Sequence, residues 1–161
     1  IDTAYHLSYF ARVSYYREWI LSVINAPLTP GSLLALKGGR SQKWCADEKG
    51  KMICNRDSID RWETFKVVDI GNGKLALSGG RTGHRKYCAE YQNSVVCNQT
   101  KLDDGGRLEV QAISRNKRKT RVALKGGWEP RFCADDVDGV HCNRDQASSW
   151  EAFEVRMDPN S

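Results

Sequence analysis

The chain of 161 residues lacks any apolar run close to the ~20 residues that a membrane-spanning helix needs, so we expect no membrane span. It also lacks the short C-x2–4-C hooks that are typical of structural zinc sites. No charged-then-apolar leader is present and the first residue is Ile1, so we expect a processed or excised fragment. With 40% apolar and 28% charged residues, the composition is that of a folded globular protein rather than a disordered one.

A pattern of short motifs occurs three times along the chain. Each copy begins with Ala-Leu-Lys/Ser-Gly-Gly, at Ala35, Ala76 and Ala123, and continues with Cys-Ala-Asp/Glu and Cys-Asn. The first and third copies end in Trp-Glu-x-Phe, at 62–65 and 150–153. The three alanines lie 41 and 47 positions apart, and a period of this length predicts a repeat architecture. Three copies of short strands favour a closed threefold domain over an open solenoid.

Short apolar segments that run into glycine turns predict four strands in each copy, and therefore twelve strands in all. The last strand of each copy is predicted at Trp62–Ile70, Arg107–Ile113 and Trp150–Met157. This phase places Trp62 and Trp150 in the core, as structural residues.

All six cysteines fall into three pairs with eight residues between the partners. The predicted bridges are Cys45–Cys54, Cys88–Cys97 and Cys133–Cys142. An even spacing suits opposed positions on a hairpin, and in the first copy the turn would centre on Lys49-Gly50. Such opposed residues are close enough for a disulfide. Zinc ligation and reduced, buried thiols are the alternatives. Disulfides would indicate maturation in an oxidising compartment.

The motifs Ala-Leu-Lys-x-Gly, Cys-Ala-Asp/Glu, Cys-Asn-Arg-Asp and Trp-Glu-x-Phe together resemble the fascin-like group of β-trefoils. The resemblance implies an all-β fold with three four-stranded repeats about a pseudo-threefold axis, over residues 31–161. The chain departs from the group in two ways. Paired cysteines replace a usually bare hairpin, which argues against a cytosolic role like that of fascin. The second copy has Gly105-Gly106 in place of Trp-Glu.

Residues 1–30 are similar to a different family. The segment Tyr9–Ile20 resembles the last strand and terminal helix of trypsin-like serine proteases, which commonly end in a Y-x-R-V-S-x-x-x-x-W-I pattern. The resemblance implies that residues 1–30 are the C-terminal remnant of such a protease domain plus a linker. The parent protein would then carry a protease upstream of the trefoil.

The same segment predicts a short N-terminal α-helix from its own spacing. Tyr15, Trp19 and Val23 recur at helical intervals, and Ser14 is a suitable N-cap. Pro27 and Pro30 would end the helix and begin the linker.

The chain is not predicted to be an enzyme by itself. It contains no Gly-Asp-Ser-Gly-Gly nucleophile motif, and its three histidines, His6, His84 and His141, adjoin no pattern that would activate a serine. His141 alternates with Val140 beside a cysteine, which favours a structural role. We predict neither a metal site nor a cofactor.

Polar residues around the hairpins of copies one and three are the first candidates for ligand binding. Acids and asparagine hydrogen-bond sugar hydroxyls, and arginine orients planar anionic groups. The predicted ligand-binding residues of these hairpins are Asp47, Asn55, Arg56, Asp135, Asn143 and Arg144. The alternative is that they tie the turns to the barrel. The middle copy, with Glu90 and Asn98-Gln-Thr, has lost the arginine.

Exposed aromatics and cations are the other candidates. Trp128 follows a Gly-Gly turn where a core role is hard to justify, so it is predicted to stack on a ligand; Tyr91 is a weaker case. The net charge of +5 and the basic segment 115–121 favour anionic partners. Nucleic acid is disfavoured because no aromatic interrupts that segment.

These features predict a secreted, disulfide-braced β-trefoil that acts as a non-catalytic carbohydrate-binding or adhesive module linked to a trypsin-like protease. Its partners would be a glycan or another anionic or polar surface ligand, and the upstream protease chain. The alternative is a protein-binding module, either actin-binding by analogy with fascin or regulatory towards the protease.

Overall fold

The computed structural model describes residues 28–48, 51–80, 86–101, 108–115, 120–126, 131–157 and 159. The predicted N-terminal helix and the Lys49-Gly50 turn lie outside this range. The described residues form an all-β structure of twelve strands with two short 3-10 helices, Arg61–Glu63 and Ser149–Glu151. The strands are β1 (Leu33–Lys37), β2 (Trp44–Glu48), β3 (Lys51–Arg56), β4 (Phe65–Gly71), β5 (Lys74–Gly79), β6 (Tyr87–Tyr91), β7 (Ser94–Gln99), β8 (Glu109–Arg115), β9 (Thr120–Lys125), β10 (Phe132–Asp136), β11 (Gly139–Arg144) and β12 (Phe153–Met157).

Six of the strands close a ring. In the order β1, β4, β5, β8, β9, β12 and back to β1, each strand pairs antiparallel with its two neighbours. The first and the last strand of each sequence copy contribute to this ring. Closing the ring leaves no open edge among these strands, because every edge is paired.

The remaining six strands form three hairpins, β2–β3, β6–β7 and β10–β11. Each hairpin joins the ring through one equivalent residue pair. These pairs are Lys37 with Trp44, Ser78 with Tyr87, and Lys125 with Phe132. The strands β3, β7 and β11 pack against one another, so the hairpins meet at one end of the ring.

The core uses equivalent positions of the three copies. Phe65 and Phe153 open β4 and β12 and are fully buried, and Leu108 holds the matching position just before β8. Burying side chains of this size contributes about 1.5–3 kcal/mol each. The leucines of the three Ala-Leu motifs, Leu36, Leu77 and Leu124, are fully buried in the same cluster.

The predicted disulfides are confirmed. Each pair occupies directly opposed residues of its hairpin, and all six sulfur-bearing residues are buried. The bridges are Cys45–Cys54, Cys88–Cys97 and Cys133–Cys142. The described part of the chain contains no free cysteine.

The prediction for the Trp-Glu-x-Phe motifs is wrong in one respect. Trp62 and Trp150 are not core residues: they are 41% and 47% exposed. Each lies in a 3-10 helix, and the following strand begins only at the phenylalanine. The buried member of the pair is the glutamate, because the 3-10 turn carries the indole to the outside and brings Glu63 or Glu151 inward. No helix among the described residues is long and apolar enough to cross a membrane.

Candidate functional site

The two predicted acids, Asp47 and Asp135, are buried in the fold. Asp135 is fully buried, and its Oδ2 atom accepts hydrogen bonds from the backbone N–H and the Oγ–H of Ser41, both at 2.7 Å. Arg40 donates from Nε to the backbone carbonyl oxygen of Asp135 at 2.9 Å. Asp135 therefore fastens a turn of the first copy to the hairpin of the third.

Each acid of the Cys-Ala-Asp/Glu motif lies against the first glycine of a Gly-Gly pair in the next copy, and the acid of the third copy lies against the glycine of the first. A Cβ added to Gly38 would stand 2.1 Å from Oδ2 of Asp135, and one added to Gly79 would stand 2.2 Å from Oδ2 of Asp47. In the remaining case the acid is Glu90 and the distance, to its Cγ, is 3.0 Å. The glycines leave room that any side chain would fill. The copies are thus joined by a cycle of acid–glycine contacts.

Each predicted arginine is paired with the acidic residue directly after the predicted aspartate, which is Glu48 in the first copy and Asp136 in the third. The Arg56 Nη2 atom bonds the Glu48 carboxylate, and Arg144 Nη2 lies 3.0 Å from Asp136 Oδ1. Successive residues of a strand point to opposite faces, so Asp47 is buried while Glu48 is half-buried at the surface. The structure does not bring the predicted acids to the arginines.

The predicted asparagine–arginine pairs are in contact. Asn55 Oδ1 accepts a hydrogen bond from Nη1 of Arg56, and Asn143 Oδ1 accepts one from Nη1 of Arg144. Both asparagines are exposed and both arginines are half-buried. These four residues therefore form matching polar surfaces on the first and third copies.

Glu63 ties the first 3-10 helix to this polar surface. Its side chain is buried, with Oε2 accepting from the backbone N–H of Asp60 at 2.9 Å and Oε1 lying 3.2 Å from Arg56 Nε. In the third copy, Glu151 is buried and accepts from the Ser148 hydroxyl at 3.3 Å. The glutamates hold the tryptophan-bearing turns against the strands.

A groove of about 460 Å³ results beside the first 3-10 helix, lined by Arg56, Asp60, Arg61, Trp62 and Glu63. Its surface combines the half-exposed indole with two guanidiniums, carboxylates and backbone. A flat apolar ring next to charged hydrogen-bonding groups suits a ligand that has one apolar face and a polar rim. We call this the Trp62 groove.

The third copy has the same elements, with Trp150 following Ser149 on its 3-10 helix and Arg144 at the end of β11. The middle copy does not: Gln99 stands in place of the arginine and Gly105 in place of the tryptophan. Candidate sites are therefore confined to the first and third copies, as the sequence predicts for the polar residues.

The surface position of the two tryptophans was not predicted from the sequence. The overlooked signal is an acid or serine followed three residues later by glutamate, in Asp60-Arg-Trp-Glu63 and Ser148-Ser-Trp-Glu151. This is the sequence signature of a helix N-terminus, and Asp60 forms a capping box with Glu63. It would have predicted a helical turn in place of the start of a strand.

His141 joins two hairpins. It pairs with Ser94 between β11 and β7, and its Nδ1 lies 3.2 Å from the Ser94 Oγ. Its Nε2 lies 2.9 Å from Oδ1 of Asp138, and this hydrogen bond holds the pKa of Asp138 below its ordinary value. The contact with Ser94 connects the hairpins of the second and third copies.

A larger groove of about 640 Å³ lies between β8 and the turn after β4. Its polar lining consists of acids and amides: Asp69, Asn72, Glu109 and Gln111. One wall is formed by Leu28, Thr29 and Pro30, which continue directly from residues outside the described range. We place the candidate site at the Trp62 groove instead, because it combines a half-exposed indole with charged hydrogen-bonding groups.

The other predicted contact residues contribute little to the site. Trp128 and most of the basic segment 115–121 lie outside the described residues. Tyr91 is strongly exposed at the end of β6. Within the described ranges, no group of three or more His, Cys, Asp or Glu side chains is placed to hold a metal ion.

No protein-family model matches the chain, and no curated protein matches it. Among solved structures, the chain is similar to the crystal structure of the SDF2-like protein from Arabidopsis thaliana, with a TM-score of 0.63. The two are 13% identical, and the match covers 80% of this chain and 94% of the other. At this identity the likeness shows the fold alone.

Proposed function

We propose that residues 31–161 form a β-trefoil related to the fascin-like group. The support is the threefold repetition of strand pairing, with two ring strands and one hairpin for each sequence copy. Equivalent core residues, opposed disulfides and the acid–glycine cycle repeat with the same period.

We propose that this domain is a non-catalytic carbohydrate-binding module with a lectin-like or adhesive role. The observation that carries the proposal is the Trp62 groove, in which a half-exposed indole adjoins an arginine held by two carboxylates. The apolar face of a pyranose ring stacks on an indole, while its hydroxyls bond guanidinium, amide and carboxylate groups.

The proposed ligand residues are Asn55, Arg56 and Trp62 in the first copy and Asn143, Arg144 and Trp150 in the third. Asp47 and Asp135 are omitted because their side chains are buried. Two such sites on one chain would raise the avidity for a glycan-coated surface without any new contact.

Replacing Trp62 or Trp150 by alanine is expected to weaken glycan binding about tenfold at the altered site, the equivalent of about 1.4 kcal/mol. The double variant is expected to lose measurable binding. Because both indoles are half-exposed, the free energy of unfolding should change little. A glycan array identifies the sugar, and isothermal titration calorimetry then gives the affinity of each variant.

Tyr91→Ala is the matched control, since it removes an exposed aromatic of the middle copy and should leave glycan binding unchanged. Retained binding in the double tryptophan variant would contradict the site. Wild-type protein that binds no neutral, acidic or sulfated glycan would contradict the function. Sedimentation with actin filaments in that case would favour the protein-binding alternative.

We further propose that the protein is secreted. Three buried disulfides support this, because such bridges persist in oxidising compartments and are rare in the cytosol. The acceptor triplet Asn98-Gln-Thr is compatible with glycosylation in a secretory pathway.

We also propose that residues 1–30 derive from an upstream trypsin-like protease domain, on the strength of the Tyr9–Ile20 motif. The trefoil would then direct the protease to a glycan-bearing surface. Purification of this chain from its native source is expected to bring trypsin-like peptidase activity with it, blocked by a serine-directed inhibitor. Native protein without any such activity or associated protease chain would contradict the link.

A further inference from the structure

We infer that the two proposed sites differ in ligand class, the first copy selecting an acidic saccharide and the third copy an uncharged one. This inference rests on the proposed function and adds the chemistry of the sugar. It follows from the two residues that precede each tryptophan, which are Asp60-Arg61 in the first copy and Ser148-Ser149 in the third.

Arg61 supplies the difference in charge. It is exposed, precedes Trp62 directly and lines the Trp62 groove. It forms no ion pair with any residue that the structure describes. A guanidinium beside an indole is placed to meet a carboxylate or sulfate on a sugar stacked there, through charge-assisted hydrogen bonds.

Two of the other charged groups of the Trp62 groove, Arg56 and Glu63, are already engaged. Arg56 is paired with both Glu48 and Glu63. Asp60 is the N-cap residue of the 3-10 helix and forms a capping box with Glu63. Internal partners therefore hold Arg56 and the Glu63 carboxylate, which leaves Arg61 as the guanidinium available to a ligand.

The third copy carries Ser148 and Ser149 at the positions of Asp60 and Arg61. Its tryptophan, arginine, asparagine and buried glutamate are retained. Serine hydroxyls bond sugar hydroxyls but add no charge. This site should therefore bind the neutral parent sugar and its acidic derivative about equally well.

The chain allows each site to be studied alone. Trp150→Ala leaves the site of the first copy, and Trp62→Ala leaves the site of the third. Each variant is applied to a glycan array that contains neutral glycans next to their uronate, sialylated and sulfated derivatives. We expect the Trp150→Ala protein to prefer the acidic derivatives, and the Trp62→Ala protein to show no such preference.

Exchange of the residue directly before each tryptophan, Arg61 or Ser149, tests the cause. In the Trp150→Ala protein, Arg61→Ser should weaken binding of the preferred acidic glycan about fivefold, while binding of its neutral parent changes less than about twofold. In the Trp62→Ala protein, Ser149→Arg should raise affinity for the same acidic glycan. Added salt should reduce the preference, because exposed charges are screened.

The outcomes separate the two proposals. Wild-type protein that binds no glycan overturns the proposed function and this inference with it. If Trp62→Ala weakens glycan binding while the first site shows no preference for acidic glycans, or while Arg61→Ser has no effect, this inference alone is overturned. A preference for sulfated over uronate glycans, or the reverse, identifies which anionic group is read. Thermal unfolding of Arg61→Ser should match wild type, which confirms that a change in binding is local.

Discussion

Replacing Gly39 by alanine is expected to lower the free energy of unfolding by about 3 kcal/mol or more. A Cβ there would stand 1.9 Å from the carbonyl oxygen of Ser149 and 2.6 Å from that of Ala152. Both obstacles are backbone atoms at the second 3-10 helix, so rotating a side chain cannot relieve the collision. Either the turn that holds Gly39 or the 3-10 helix must move. Urea denaturation monitored by circular dichroism measures the loss.

The same substitution should impair the site of the third copy, because the displaced turn carries Trp150. Gly80→Ala should act likewise on the first copy, where the added Cβ would stand 2.5 Å from the Arg61 carbonyl oxygen. Gly73→Ala is the control: its Cβ meets nothing within 4 Å, and its φ of +75° costs only about 1 kcal/mol. Equal losses of stability in Gly39→Ala and Gly73→Ala would contradict the close approach of Gly39 to the 3-10 helix.

Reducing the three disulfides is expected to unfold the protein or to lower its melting temperature severely. Each bridge closes a loop with a sequence separation of 9, which removes about 2.5–3 kcal/mol of chain entropy from the unfolded state. The three together contribute about 8 kcal/mol, against a total stability of about 5–15 kcal/mol for a typical domain. Scanning calorimetry with and without reductant measures the difference.

Thiol titration provides the accompanying check. Denatured, unreduced protein should show no reactive thiol, and reduction should release all six. Six thiols before reduction would contradict both the bridges and the secreted location. Reduced protein with an unchanged melting temperature would contradict the contribution of the disulfides to stability.

The contribution of each disulfide can be measured by removing one bridge at a time. Replacing Cys45 and Cys54 by alanine should loosen the strand that ends in Arg56, and so weaken glycan binding at the first site as well as stability. The pair Cys88 and Cys97 is the control, because the middle copy has no proposed site. Its removal should reduce stability by a similar amount and leave binding intact.

Most of the fold could be predicted from the sequence because its signals are local and repeated. The Ala-Leu and Gly-Gly motifs mark strand and turn, and the cysteine spacing fixes the register of each hairpin. Repetition helps, since an ambiguous strand in one copy is supported by the other two. Even the degenerate second copy keeps a buried leucine, Leu108, where its counterparts have phenylalanine.

The orientation of the site residues could not be predicted in the same way. A hydrophobic pattern places Trp62 in a strand, and only the glutamate three residues after Asp60 shows that a helical turn intervenes. Asp47 and Glu48 are adjacent acids, and strand alternation alone does not say which of them faces inward. That choice depends on Gly79, which lies in another copy and leaves the space that Asp47 fills.

The cycle of acid–glycine contacts makes each third of the molecule dependent on the other two. A polypeptide containing a single copy would have an acid without its glycine and a glycine turn without its acid. It could satisfy both only by associating with two more copies of itself around an axis. The closed cycle of contacts therefore requires three copies, whether they lie in one chain or in three.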